Sequence, residues 1–173
     1  MNEVLNCLET RRSVRKYLPK QIADAELNAI LEAGIYAPTA MGRQSPKIVV
    51  LQKPEDVAEL ERMNAAVLGN PDSHPFYGAP TVLVVLADAK AGTAVEDGSL
   101  VLGNLMNAAH ALGVGSCWIH RAREEFASGE GKALLKRWGI EGDWVGVGHC
   151  ILGYPAAEPK PAAPRKPDYI VKV

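Results

Sequence analysis

The stretch Glu96-Asp97-Gly98-Ser99-Leu100-Val101-Leu102-Gly103-Asn104-Leu105-Met106-Asn107-Ala108-Ala109-His110-Ala111-Leu112 carries most of the information about how this chain folds. Wound at 3.6 residues per turn, it is apolar on nearly every side, and Gly98, Ser99, Gly103, Ala108 and Ala109 are small enough to admit close neighbours. Such a pattern predicts a central helix rather than a surface one, and something must cover all of it. Its apolar part, residues 99–112, is interrupted by Gly103, Asn104, Asn107 and His110 and is too short to span a bilayer. A chain of 173 residues has little else to place over this helix, so part of it is expected at a two-fold interface.

The elements on either side alternate between two kinds. Ile48-Val49-Val50-Leu51 and Val82-Leu83-Val84-Val85-Leu86 are continuous apolar runs rich in β-branched residues, which predicts strands covered on both faces. Residues 116–120 and 145–152 are further strand candidates. Helical spacing is expected over residues 2–10, over residues following an N-cap at Asp24 until Pro38 stops the pattern, over 55–67, and over 124–138 as one helix. The turn-rich residues 69–80 read as a loop. From 155 to 167 there are five prolines in thirteen residues, which favours an extended arm, and Tyr169-Ile170-Val171-Lys172-Val173 then alternates like a strand. An arm followed by a strand points to pairing away from the parent core; a frayed tail is the alternative.

Bulk composition excludes several classes. A hydrophobic content of 47% with 23% charged residues is an ordinary globular balance for one domain over residues 1–173. A formal net charge of -1 provides no long-range attraction for nucleic acid or an anionic membrane, so neither is expected as a partner. The N-terminus is charged throughout and does not read as a signal peptide. Cys7, Cys117 and Cys150 are an odd number without CxxC spacing, which suits the reducing cytoplasm. Cys117 and His120 could meet His149 and Cys150 around zinc if their strands were neighbours, but buried thiols in strands are the simpler reading, and no metal is expected.

Among chemistry-bearing motifs, the GxxxxGK[ST] phosphate loop, the HExxH zinc pair and the GxSxG elbow do not occur. Gly113-Val114-Gly115 lacks a third glycine and opens a strand, so a Rossmann dinucleotide site fails on context. His110 lies on an apolar helix with no carboxylate that the sequence places beside it, and reads as a core or interface histidine. The cluster Arg11-Arg12-Ser13-Val14-Arg15 offers guanidinium forks and a hydroxyl that suit a phosphate monoester, although a solvated basic face is the simpler reading of it alone.

Taken in order, Arg11-Arg12-Ser13-Val14-Arg15-Lys16-Tyr17, Ala37-Pro38-Thr39-Ala40-Met41-Gly42-Arg43-Gln44, Leu112-Gly113-Val114-Gly115-Ser116-Cys117-Trp118-Ile119 and the distal Arg165 resemble the motifs of the nitroreductase family, and the match runs from Thr10 to Val173. The resemblance implies an α+β, three-layer α/β/α sandwich with a mixed, largely antiparallel sheet, assembled as a homodimer in which the 155–173 arm reaches the partner. It implies FMN as cofactor, with Arg11, Ser13, Arg15 and Arg165, and Arg12 through its backbone, at the phosphate and ribityl chain. Pro38, Thr39, Ala40, Met41 and Gln44 would approach the flavin from the partner subunit, while Trp118, Ile119, His120 and Arg121 would follow the ring edge. Asn64 or Asn70 would add an amide contact.

The same resemblance implies a ping-pong reaction. NAD(P)H would reduce the flavin at N5 and leave, and a nitroaromatic, quinone or similar small molecule would take its place, with no catalytic residue from the protein. Three departures stand out: Gly42 occupies a usual asparagine position, Ser45-Pro46 replaces Pro-Trp, and His120-Arg121 replaces the glutamate and glycine often found there. The alternatives are an FMN storage or sensor protein with little turnover, and a flavin enzyme of the same fold with different chemistry, for which this chain is short.

Overall fold

A computed structural model describes residues 2–173. Helix α1 (Glu3–Thr10) starts where the Asn2 side chain accepts the Val4 N–H at 2.9 Å. It buries none of its residues, leaving Val4, Leu5 and Leu8 exposed. Helix α2 (Asp24–Ile35) takes Asp24 as its first helical residue and Ala23 as its cap, in place of the expected Asp24 cap. The reason is Glu26, whose carboxylate reaches back to the Ala23 N–H at 2.9 Å, the acidic half of a capping box.

Strand β1 (Pro46–Leu51), helix α3 (Pro54–Leu68), strand β2 (Thr81–Asp88), helix α4 (Ala94–Ala111) and strand β3 (Gly115–Ile119) follow. The helix expected over 124–138 is two helices, α5 (Ala122–Ala127) and α6 (Gly129–Arg137), before the last strand, β4 (Trp144–Gly153). Ser128 makes the break. Its backbone is extended, its hydroxyl donates to Glu125 O at 2.6 Å, and the same oxygen accepts the Gly131 N–H at 3.0 Å, so one side chain ends one helix and starts the next.

The strand order is β1-β2-β4-β3, with every neighbouring pair antiparallel. Parallel pairing among the described residues is confined to the isolated bridge between Ser13 and Ser116. On one face Val82, Val84 and Leu86 pack with Leu60, Phe76, Phe126 and Leu134; on the other, Leu83 and Val85 pack with Ile30, Leu102 and Leu105. Helices α3, α5 and α6 therefore cover one side and α2 and α4 the other, which is the three-layer arrangement of an α+β fold. The expectation of two covered faces holds fully for β2 and in part for the edge strand β1, where Ile48 and Val49 pack against the clusters on opposite faces, Leu51 is buried and Val50 is exposed.

Helix α4 buries Val101, Leu102, Leu105 and Ala109, yet Leu100 remains 48% exposed on its other side. Residues 169–173 form no strand within the chain, and Tyr169, Ile170 and Val171 are exposed. A strand needs an edge to pair with, and among the described residues 169–173 pair with neither edge strand of their own sheet. No helix among the described residues is long and apolar enough to cross a membrane.

Cys117 and Cys150 fall in different hydrophobic clusters on opposite faces of the sheet, so the strands do not converge their sulfurs on one metal. Burial also pushes the Cys150 thiol well up, which removes it as a thiolate. His149 instead turns into the α3/α5/α6 side, where its Nε2 meets the Glu125 carboxylate at 2.5 Å with both side chains fully buried. This contact ties α5 to β4. Glu125→Ala is expected to cost about 3 kcal/mol or more in chemical denaturation, because it strands a buried imidazole. The double replacement Glu125→Leu/His149→Phe should recover a large part of that loss.

Candidate functional site

The basic run leaves α1 as extended backbone pinned to β3. The Val14 N–H donates to Ser116 O at 2.9 Å, Ser13 bridges Ser116, and Tyr17 bridges Pro155. Arg12, Ser13, Arg15 and Lys16 consequently line a cleft of about 470 Å³ with Glu158 and Lys160 from the arm. Four cations there face the single carboxylate of Glu158. Arg12 is partly committed, since its Nη1 donates to the carbonyls of Glu9 and Arg11 at the end of α1.

Arg11 is not among the residues that line this cleft. Its Nη1 is buried with no hydrogen-bond partner, an orphaned donor that an anionic oxygen would satisfy. Its charge acts on His110, whose imidazole is held below its usual range by burial first and then by Arg11 and Arg12. His110 sits 2.8 Å from Thr10 Oγ1, consistent with a packed rather than catalytic histidine. Arg165 is not brought to this cleft; it lines a separate surface with Lys166, Tyr169 and Ile170. Lys16 and Lys160 take part instead. The sequence offered Lys16 as part of its basic run, but it offered no signal for Lys160, whose place depends on how the arm folds back at Ala156 N–H to Lys16 O.

The end of β3 forms a second part of the site. Ile119 is buried in one core cluster, and the partly buried Trp118 packs against the other. Beyond them His120 is exposed, and Arg121 is half-buried with φ +83°, the left-handed region where glycine is at ease. Asn64, fully buried on α3, donates from Nδ2 to His120 O at 2.8 Å and accepts from Arg121 Nε at 2.9 Å. Its amide is thus engaged with this turn, whereas Asn70 is exposed in the following loop.

The loop before β1 is the third part. Met41, Gly42 and Gln44 all have positive φ, between +51° and +63°. Gly42 is therefore conformationally equivalent to the asparagine usual in the related motif, since both tolerate this region. The loop is fastened to α4 by Asp97, whose carboxylate accepts the Ala40 N–H at 3.0 Å, the Ser45 hydroxyl at 2.8 Å and the Thr93 hydroxyl at 3.2 Å. Ser45 in place of proline thus gains a definite partner. Thr39 and Gln44 line an apolar groove with Ile35, Ile48 and Val101, while Pro38 and Met41 are exposed and Ala40 is half-buried. Asp97 carries no motif and was not singled out from the sequence, although an acidic residue inside so apolar a helix was a signal that it needs buried donors.

The chain does not bring its motifs together. Ser13 lies outside β3, opposite Leu152 and hence Thr81, whereas Pro46 pairs with Ala87 at the far end of β2 and on the other edge. Four strand spacings across and six residues along place the Ser13 and Gln44 segments roughly 25–30 Å apart. Ser13 and Arg121, by contrast, lie near the two ends of the same β3 edge.

The chain is thus an α+β sandwich with a cationic cleft at one sheet edge and a fastened, left-handed turn at the end of β3. The Nitroreductase family model matches residues 8–76 and 70–154, and the chain belongs to that family. A protein of Archaeoglobus fulgidus with the provisional name NADH dehydrogenase/NAD(P)H nitroreductase is 34% identical over 91% of this chain and 88% of its own. Among solved structures, the FMN-bound nitroreductase of Bacteroides fragilis is 32% identical with a TM-score of 0.91, covering 100% of both chains. That of Desulfitobacterium hafniense, also with FMN bound, is 29% identical with a TM-score of 0.89 over 100% of this chain and 99% of its own.

Asp97 permits a direct test of the loop. Burial raises its pKa, but the Ala40, Ser45 and Thr93 hydrogen bonds and the Arg43 charge outweigh that and hold it below the usual range. A depressed folded pKa contributes stability that is present above the unfolded value and is lost as pH falls through the folded one. Asp97→Asn is expected to cost on the order of 1–3 kcal/mol at pH 7. The wild-type advantage in denaturation midpoint should shrink as pH drops below about 4.

Proposed function

We propose that this chain is an FMN-dependent NAD(P)H oxidoreductase that works as a homodimer and reduces a nitroaromatic, quinone or similar small molecule by a ping-pong sequence. The observation that carries this reading is the buried, partnerless Nη1 of Arg11 in a segment where Arg12, Arg15 and Lys16 follow with no carboxylate among them. A terminal phosphate suits both, because guanidinium forks bind it through charge-assisted hydrogen bonds. Bound FMN supplies the hydride-accepting ring, so the chain needs no nucleophile or catalytic acid of its own.

In this reading Arg11, Ser13 and Arg15, with the Arg12 backbone, hold the phosphate and ribityl chain. The backbone of Trp118, Ile119, His120 and Arg121 lies along the ring. Pro38, Thr39, Ala40, Met41 and Gln44 serve the flavin of the partner, since the sheet register holds them too far from Ser13 to serve their own. A two-fold interface over α1 and the open side of α4 would cover Val4, Leu5, Leu8 and Leu100. The 155–173 arm of the 1–173 domain would then leave its own chain for the partner, and its reseating would carry Arg165 to a phosphate. The free thiols of Cys7, Cys117 and Cys150 suit a reducing cytoplasm.

Purified protein loaded with FMN is expected to lose its yellow colour anaerobically on addition of NADH or NADPH and to regain it with a quinone. Slow or absent bleaching would instead indicate flavin storage or sensing. The phosphate assignment is tested separately by titrating FMN and riboflavin into apo protein. Arg11→Ala should weaken FMN roughly tenfold to a hundredfold and leave riboflavin nearly unaffected. Equal losses for both ligands would show that Arg11 does not read the phosphate.

A further inference from the structure

Among the described residues, four other than glycine have positive φ: Met41, Gln44, Tyr77 and Arg121. Of these, Arg121 is fixed most completely. At φ +83° its Cβ is strained, and it caps α5 without any side-chain cap bond, so helix capping does not explain the residue. Asn64 holds it from one side through Nε and through the neighbouring His120 carbonyl. From the other side, α5 is seated so closely on β4 that a Cβ on Gly146 would stand 2.0 Å from Ala122 O. The Glu125 N–H donates to Arg121 O at 3.1 Å, and Glu125 is itself anchored to His149.

This anchoring has an electrostatic result. Glu125, four residues from Arg121, has its carboxylate turned into the core toward His149, and no ion pair among the described residues involves Arg121. The Nε bond fixes the direction of the guanidinium while its terminal nitrogens make no hydrogen bond within the described chain. An uncompensated cation therefore stands on a rigid post at the end of β3, at the turn assigned above to the flavin ring.

We infer that Arg121, with Asn64 as its positioning residue, is the cation that makes this pocket favour reduced over oxidised flavin. The inference rests on the FMN reading. Each hydride taken up, two electrons and one proton released as NAD(P)H becomes NAD(P)+, leaves one added negative charge in the pocket. A fixed neighbouring cation stabilises that charge, and it does so more strongly in a partly desolvated pocket than in water.

The test is the two-electron midpoint potential of FMN bound to the full-length protein, measured anaerobically against a reference dye, with thermal stability in parallel. Arg121→Gln keeps the bulk and removes the charge, and should reduce the preference for reduced flavin about tenfold, a fall of about 30 mV. Arg121→Gly relieves the backbone and should lower the potential as far without loss of stability, while Arg121→Lys, which keeps the charge, should fall less than either. Asn64→Ala should lower the potential in the wild-type background and have no further effect on it when Arg121 is already Gln. If the Gln and Gly variants bind FMN at the wild-type potential, the inference is overturned and the function stands. If wild-type protein binds no FMN, both are overturned. Lower stability with unchanged potential would make Arg121 a structural turn and would likewise overturn the inference.

Discussion

Strand β2 is bonded along both edges, by β1 and β4, and Val82, Leu83, Val84, Val85 and Leu86 are completely buried. Burying one face of a strand requires one covering layer, and burying both requires two. Helices α2 and α4 supply one and α3, α5 and α6 the other, so the central strand determines the three layers. It also displaces function to the margins. With the middle of the sheet sealed, only the edges β1 and β3 and the loops at strand ends have polar backbone and space for a ligand.

Those margins share a method of construction. Two of the three candidate ligand-facing segments depart from regular structure, with left-handed residues at Met41, Gln44 and Arg121, and each of these two is fastened by one buried polar side chain from a neighbouring helix. Asp97 on α4 holds the loop before β1, and Asn64 on α3 holds the turn after β3. A buried carboxylate or amide is costly unless its hydrogen bonds are met, so the same bonds that satisfy the core also fix the loops. The basic segment at Ser13 is handled differently, by backbone pairing to Ser116, which leaves its side chains available to a ligand.

Much of the architecture was legible because it follows from short-range chemistry. Apolar runs with β-branched residues marked two of the strands, residues 116–120 and 145–152 were candidates for the other two, and the all-round apolar character of residues 96–112 marked the central helix. The basic run, the polar loop before β1 and the turn after β3 were recognisable as motifs in order along the chain. Errors arose where a tertiary or side-chain partner decides the local outcome. Glu26 reaching back to Ala23 moved the α2 cap, and the two bonds of Ser128 divided one helix into two.

The sequence by itself determined the strand and central-helix candidates, the absence of phosphate-loop, zinc-pair and nucleophile-elbow motifs, and the identity of the cations available to an anionic ligand, because these depend on residue type and spacing. Only the tertiary structure decided which of those cations share a cleft. It separated Arg165 from Arg12 and Arg15, added Lys160, turned Arg11 inward, and placed the Gln44 segment at the far corner of the sheet from Ser13. It also brought Asn64 to Arg121 across 57 residues and Asp97 to Ala40 across the same separation. Contacts at such range are set by strand register and helix packing, which no local pattern encodes.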